Sequence, residues 1–110
     1  MKELTKLEEV VMIAIVRLKD TAYGVNIKKE VHILMGKEYF YNTLYTTFDQ
    51  LIRKGFITKH FGEAESRRGG KRKVYFQMTR DGREALEEAF ERQSRVWGGI
   101  TRQSLKKGWA

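Results

Sequence analysis

The sequence predicts an α+β fold that is mostly α-helical, with three helices, a two-stranded β-hairpin and then a fourth helix. The first observation behind this prediction is the spacing of apolar residues. It is helical up to residue 54, alternating between residues 56 and 78, and helical again afterwards. The second observation is size, because 110 residues with 41% hydrophobic content suit one small domain. A single copy has only a modest core, which favours association with a partner chain.

A capping box predicts the start of the first helix, because Thr5 is followed three residues later by Glu8. The helix ends at Lys19-Asp20. Its apolar residues are Leu7, Val10, Val11, Ile13, Ala14, Ile15 and Leu18. They cover most of the helix surface, so we expect this helix to lie at the centre of the domain.

The second helix opens at Thr21 or Ala22 and stops at Gly36, and the third extends from about Tyr41 to Lys54. The buried stripe of the third helix is predicted to consist of Leu44, Phe48, Leu51 and Ile52. Its opposite face is polar with little net charge, and it carries Asn42, Thr43, Thr46, Asp49, Gln50 and Arg53.

A hairpin follows, with strands from Phe56 to Phe61 and from Lys73 to Met78 and a loop longer than a tight turn requires. Five cations without any acid lie at its tip: Arg67, Arg68, Lys71, Arg72 and Lys73. Three more lie in the tail: Arg102, Lys106 and Lys107. Together they equal the net charge of +8. An excess confined to one loop and one tail favours a polyanionic partner over an ordinary solvated hairpin tip.

The fourth helix is expected to begin at a Thr79 cap and to extend to Trp97, where Gly98-Gly99 weaken it. One face of this helix carries Leu86, Ala89, Phe90, Gln93, Val96 and Trp97. That face has two interpretations. It is either a dimer core packed at helical spacing or a flat aromatic platform for a ligand.

Several classes of function are excluded by what the sequence lacks. Without cysteine there is no disulfide, thiolate nucleophile or cysteine zinc site. His32 and His60 lie in different elements without further ligands, so no metal site or cofactor is expected. No catalytic motif is present, so we expect no enzyme. The longest apolar run, Val10 to Val16, is far shorter than the ~20 residues that cross a bilayer, and the acidic Glu8 and Glu9 before it are not typical of a signal peptide. We therefore expect a soluble, cytoplasmic protein with no membrane partner.

Two short helices joined by a brief turn and followed by a charged hairpin describe a winged helix-turn-helix. In this arrangement the third helix enters the DNA major groove, and the hairpin, or wing, follows the backbone. Asn42, Thr43 and Thr46 are then candidates for base contacts, although they could also be simply solvated. Tyr45 lies beside the buried stripe, which predicts a core ring with its hydroxyl directed at a phosphate. The wing cations would contact phosphates.

Three segments resemble PadR-family transcriptional regulators. The opening of the family is matched by LTKLEEVVMIAIVRLKDTAYGVNIKKEV, with its Tyr23-Gly24 pair. The recognition helix is matched by TLYTTFDQLIRKGFI, and the wing, strand and fourth helix by GGKRKVYFQMTRDGREALEE. Two positions depart from the family pattern. Phe40 occupies a place that is usually serine-like, and Asn42 replaces a small residue.

The resemblance implies a homodimer joined by the first and fourth helices, with an interface at Leu7, Val11, Leu86, Ala89, Phe90, Gln93, Val96 and Trp97. It also implies a repressor of nearby genes on a palindromic operator in double-stranded DNA. In some members of the family a small molecule relieves repression. Here such a molecule is expected between the fourth helices, at Phe90, Gln93 and Trp97.

The chain is thus predicted to divide into a winged helix-turn-helix domain (1–78), a C-terminal dimerisation helix (79–100) and a basic, disordered tail (101–110). The alternative is a winged-helix module that binds RNA or a protein and has no regulatory role of its own.

Overall fold

The computed structural model describes residues 3–62 and 73–107. The elements are α1 (Lys6–Leu18), a 3₁₀ turn (Lys19–Thr21), α2 (Gly24–Met35), α3 (Tyr41–Arg53), β1 (Ile57–Phe61), β2 (Val74–Met78), α4 (Arg80–Trp97) and α5 (Arg102–Lys107). This order of helices and hairpin confirms the predicted α+β fold class. Among the described residues, no helix is long and apolar enough to span a membrane.

Helix α1 lies at the centre of the domain, as its apolar surface predicts. Val11, Met12 and Ala14 have no exposed surface. Around α1 pack α2, α3, β2 and α4. Helices α2 and α3, strand β2 and the segment that leads into β1 contribute Ile27, Val31, Leu44, Phe48, Leu51, Phe56 and Phe76 to one core. The predicted capping box starts the helix, since Thr5 N donates to Glu8 Oε1 at 2.8 Å and Glu8 N donates to Thr5 Oγ1 at 3.2 Å.

Helix α2 begins at Gly24, later than the predicted Thr21 or Ala22. The reason is a tertiary contact of the two residues before it. Ala22 O accepts a hydrogen bond from Phe76 N at 2.8 Å, and Tyr23 forms a β-bridge with Tyr75. Both residues are held against β2 and Tyr23 is extended, so the helix starts only after them.

The hairpin is antiparallel, with Ile57 opposite Met78 and Phe61 opposite Val74. Each strand is one residue shorter at its start than predicted. Phe56 is excluded because its N–H donates to Leu51 O at 3.0 Å and so closes the end of α3.

Helix α4 begins at the predicted Thr79 cap, whose Oγ1 accepts from Gly82 N at 3.0 Å. Gly82 is required by a close approach, because a Cβ there would lie 2.1 Å from Phe56 O. The helix ends at Trp97, and Gly99 adopts a left-handed conformation with φ of 77°.

The tail differs from the disordered segment that the sequence predicts, because residues 102–107 form the short helix α5. Thr101 caps this helix, since Ser104 N donates to Thr101 Oγ1 at 3.1 Å. The overlooked signal was this Thr-x-x-Ser pair, which can satisfy free backbone N–H groups at a helix start.

Candidate nucleic-acid interface

Helix α3 has one buried face and one exposed polar face. Leu44, Thr47, Phe48 and Leu51 are buried, whereas Asn42, Thr43 and Thr46 are exposed as the sequence predicts. The start of the helix has no side-chain cap, because Phe40 occupies the capping position. Asn42 takes over part of the capping role, since its Oδ1 accepts a hydrogen bond from the backbone N–H of Thr43 at 2.9 Å.

The hydrogen bonds on this face determine what it offers to a ligand. Asn42 uses its carbonyl oxygen internally and leaves its amide N–H groups outward. The Thr46 hydroxyl donates to Asn42 O at 2.9 Å, so its oxygen lone pairs face outward. A bidentate pair between Asn42 and adenine needs both a donor and an acceptor, and it would therefore replace the bond to Thr43 N.

The prediction of a core position for Tyr45 is wrong, because its side chain is 51% exposed. Its ring packs on the surface of the helix instead. It stacks on Tyr41, with ring centroids 6.1 Å apart, and contacts Phe48 edge to face at 5.7 Å. The hydroxyl of Tyr45 is thus carried by a half-exposed ring and lies close to Gly24 of α2.

The base of the wing is fixed against the start of α2. Lys73 Nζ lies 4.3 Å from the centroid of the Tyr23 ring, and Tyr23 contacts Tyr75 edge to face at 5.5 Å. A groove of about 510 Å³, lined by Tyr23, Tyr41, Tyr45 and Lys73 among others, joins this base to α3. The other four predicted wing cations, Arg67, Arg68, Lys71 and Arg72, lie outside the described residues.

A second cation borders the same surface and was missed from the sequence. Lys28 of α2 lies 5.2 Å from the centroid of the Tyr41 ring, and its Nζ donates to Glu38 Oε1 at 3.1 Å. This hydrogen bond, together with the positive charge of Lys28, lowers the pKa of Glu38. The stabilisation by this pair is therefore present above the ordinary pKa of glutamate and is lost as the pH falls through the lowered value. The four-residue spacing of Tyr41 and Tyr45 was the signal that could have revealed the aromatic part of this surface.

His32 lies in α2 and His60 in β1. His60 stacks on Tyr75, with ring centroids 5.7 Å apart. Within residues 3–62 and 73–107, no group of three or more His, Cys, Asp or Glu side chains could hold a metal ion.

The candidate interface residues of α4 are divided between the core and the surface. Phe90, Val96 and Trp97 are 70%, 69% and 54% exposed. Gln93 is also exposed, and Leu7 and Leu86 are half-buried. Val11 and Ala89, by contrast, are 0% and 5% exposed. Their assignment to an interface is wrong, because side chains buried in their own chain cannot contact a second one.

The exposed apolar side chains of α1 are instead found in a groove between α1 and α4. It has a volume of about 650 Å³ and is lined by Glu9, Ile13, Val16, Met78, Arg83, Leu86, Glu87, Phe90, Glu91 and Gln93. We call it the α1–α4 groove. Its lining includes the large side chains of Val16 and Phe90, which are 47% and 70% exposed.

The family model described as "Transcriptional regulator PadR-like family" matches residues 12–88, more than half of the chain. The chain belongs to the PadR-like family. Comparison with curated protein sequences gave no significant match.

Solved structures of known proteins have the same fold. A PadR family transcription regulator from Clostridium difficile R20291 is 24% identical, with a TM-score of 0.64 over 89% of this chain and 97% of that one. RosR of H. salinarum is 21% identical, with a TM-score of 0.63 over 96% of this chain and 90% of that one. BpsR of Bordetella bronchiseptica, whose DNA binding is regulated by 6-hydroxynicotinic acid, is 22% identical, with a TM-score of 0.62 over 96% and 74%.

Family membership gives the chain its general role. The PadR-like chain is a DNA-binding transcriptional regulator and not an enzyme. This confirms the resemblance found in the sequence, and it favours duplex DNA over the alternative of an RNA- or protein-binding module.

Proposed function

We propose that this PadR-like regulator is a homodimeric repressor that binds a palindromic operator. Each subunit inserts α3 into the major groove of one half-site and lays its wing on the adjacent phosphates, with half-sites one helical turn (~34–36 Å) apart. One observation carries the proposal. The base of the wing and α3 share a groove lined by Lys73, Tyr41 and Tyr45, and the exposed Asn42 and Thr46 follow Tyr41 and Tyr45 directly in α3, so base-reading and phosphate-binding groups belong to neighbouring parts of the surface. Repression follows if the operator overlaps a promoter.

Within this surface the residues have different tasks. Asn42, Thr43 and Thr46 are proposed to contact base edges, because they are short, polar and exposed on the first turns of α3. Tyr45 directs its hydroxyl to a phosphate. Lys73 and the other wing cations, Arg67, Arg68, Lys71 and Arg72, supply affinity that does not depend on sequence.

Asn42→Ala, Thr46→Ala and Lys73→Gln test these tasks on operator and random duplexes. The α3 variants should lose ~1–3 kcal/mol on the operator and little on random DNA. Lys73→Gln should weaken binding to both and reduce the log–log salt slope by about 0.9. Arg80→Gln, on the exposed first turn of α4, is the control. Equal losses on both duplexes for the α3 variants, or tighter binding to RNA than to duplex DNA, would contradict the proposal.

The dimer is proposed to form through the exposed part of α4, with Phe90, Gln93, Val96 and Trp97 at its centre and Leu7 and Leu86 beside it. Large apolar side chains that are exposed on one helix face favour a protein interface over a solvated surface. Sedimentation equilibrium measures the dimer directly. A chain that ends after Thr79 should aggregate or unfold, and a soluble, folded monomer would contradict the assignment.

We further propose that a small planar aromatic effector binds between the two α4 helices. Phe90 and Trp97 are exposed, and they lie two helical turns or about 10 Å apart, with Gln93 between them. The regulation of BpsR by 6-hydroxynicotinic acid is an example on the same fold. An inserted ring would change the separation of the two α3 helices, and it would lower operator affinity by binding the two forms differently.

Quenching of Trp97 fluorescence tests the effector proposal, once Trp109→Phe has removed the second indole. A bound planar compound should quench Trp97 and weaken operator binding at the same concentration. Quenching that leaves operator affinity unchanged would contradict a regulatory role for the site.

A further inference from the structure

The C-terminal segment, residues 100–107, is the feature of the fold that the proposed function does not explain. Every residue of α5 is exposed, and Ile100 and Leu105 are 45% and 47% exposed. A helix of six residues is not stable by itself in water, because isolated helices shorter than about 12–15 residues are marginal. We therefore expect the segment to be stabilised by a contact with a molecule outside its own subunit.

The chemistry of the C-terminal segment indicates what would cover it. Leu105 and Lys106 lie three and four residues after Arg102, so each of them neighbours Arg102 on the surface of α5. Lys107 adds a third cation. A partner surface must therefore offer an apolar floor with acidic groups around it.

The α1–α4 groove has mainly this composition, with one cation, Arg83, in its lining. Its apolar floor includes Ile13, Val16 and Phe90. Its acidic residues are Glu9, Glu87 and Glu91. Across residues 3–62 and 73–107, none of these three carboxylates forms an ion pair.

We propose that, in the dimer, the C-terminal segment of one subunit lies in the α1–α4 groove of the other. This inference rests on the homodimer of the proposed function. Leu105 would enter the apolar floor, and Arg102, Lys106 and Lys107 would face Glu9, Glu87 and Glu91. Three cations then meet three carboxylates, and apolar surface that is exposed on both sides is buried.

A second copy fits this groove better than the segment of the same chain. Gly98 and Gly99 separate α5 from α4, and α5 lies exposed beyond the end of α4. In its own chain α5 does not pack back along α4, because every one of its residues is exposed. If the α4 helices of the two subunits pair antiparallel, the C-terminal segment of one subunit lies near the middle of the α1–α4 groove of the other.

The first test measures the dimer dissociation constant by sedimentation equilibrium at moderate salt. Leu105→Ser should raise it about tenfold, because it removes the apolar contact. The double variant Glu87→Lys/Glu91→Lys should raise it about 4- to 800-fold, as expected for four exposed ion pairs, two in each of the two grooves of the dimer. Adding Arg102→Glu/Lys106→Glu to that chain should restore the dimer. Glu88→Lys is the matched control, because Glu88 is exposed on α4 but does not line the groove.

The second test uses the absence of cysteine from the sequence, which makes engineered disulfides unambiguous. A chain carrying Val16→Cys and Leu105→Cys should form a covalent dimer on mild oxidation, while each single variant should not form it efficiently. A disulfide within one chain would overturn the proposal in favour of a fold-back.

These tests separate the C-terminal segment from the dimer itself. If the unaltered chain sediments as a monomer, the homodimer is refuted and this inference with it. If the unaltered chain is a dimer that Leu105→Ser and the charge variants leave unchanged, only the inference is refuted. A DNA-binding tail would give a different result. Arg102→Gln/Lys106→Gln/Lys107→Gln would then weaken DNA binding and reduce its salt slope, with an unchanged dimer dissociation constant.

Discussion

Helices α3 and α4 differ in how far their own chain covers their apolar side chains, as one phenylalanine in each helix shows. Phe48 of α3 is 2% exposed, and its ring lies 4.4 Å from that of Phe76. Phe90 of α4 is 70% exposed. The same side chain is part of the core in one helix and uncovered in the other. The helix proposed to read DNA is therefore positioned by its own chain, whereas the C-terminal half of α4 carries the exposed apolar surface that is proposed to contact a second chain.

Replacing each phenylalanine by alanine should separate these roles, and this is the largest effect we predict. Phe48→Ala should lower the free energy of unfolding by ~3–5 kcal/mol, because it leaves a cavity in the core. Phe90→Ala should change the folding of the subunit little and instead weaken the dimer. Denaturant unfolding at several protein concentrations distinguishes the two, since only dimer stability depends on concentration. Similar losses at all concentrations for both variants would show that Phe90 belongs to the subunit core.

A smaller effect is expected at the contact between α1 and the end of α3. Glu8 is 1% exposed, and its Oε1 accepts from Lys54 Nζ at 2.7 Å, while Lys54 Nζ also donates to Glu3 O at 2.8 Å. Glu8→Gln should cost ~3 kcal/mol, the lower end of the range for breaking a buried pair, because Lys54 is 26% exposed.

The matched control for Glu8 is Glu30→Gln, which breaks the more exposed pair between Arg17 and Glu30 at 3.1 Å. That change should cost no more than ~1 kcal/mol by the same denaturant measurement. Equal costs would mean that burial does not distinguish the two pairs, and that Lys54 does not fix the end of the recognition helix.

The smallest predicted effects have opposite signs at the starts of α3 and α4. Thr79 caps α4, whereas Phe40 at the start of α3 makes no capping hydrogen bond. Thr79→Ala should therefore destabilise the protein by ~1 kcal/mol, and Phe40→Ser should stabilise it by up to ~1 kcal/mol. Thermal unfolding of both variants measures the signs. Destabilisation by Phe40→Ser would show that packing of the Phe40 ring, which is 79% exposed, stabilises the protein more than a capping hydrogen bond would.

The sequence was sufficient for features that depend on near neighbours. The periods of apolar residues predicted the order of the helices and the hairpin, because each period corresponds to the geometry of one element. Thr5 with Glu8 predicted the start of α1, and Gly98-Gly99 predicted the end of α4, because caps and stops act within a few residues. The residues of the family resemblance were also sufficient to identify a PadR-like regulator.

Only the tertiary structure decided which of the predicted faces are covered. The start of α2 depends on a hydrogen bond between Ala22 and Phe76, which are more than fifty residues apart. Val11 is buried within its own subunit while Val16 remains half-exposed, and both belong to the same apolar helix. Local spacing shows that a side chain is apolar and which face of the helix it occupies. Whether another element covers that face is set by long-range packing, so the exposed ring of Tyr45 and the open α1–α4 groove became visible only in the folded chain.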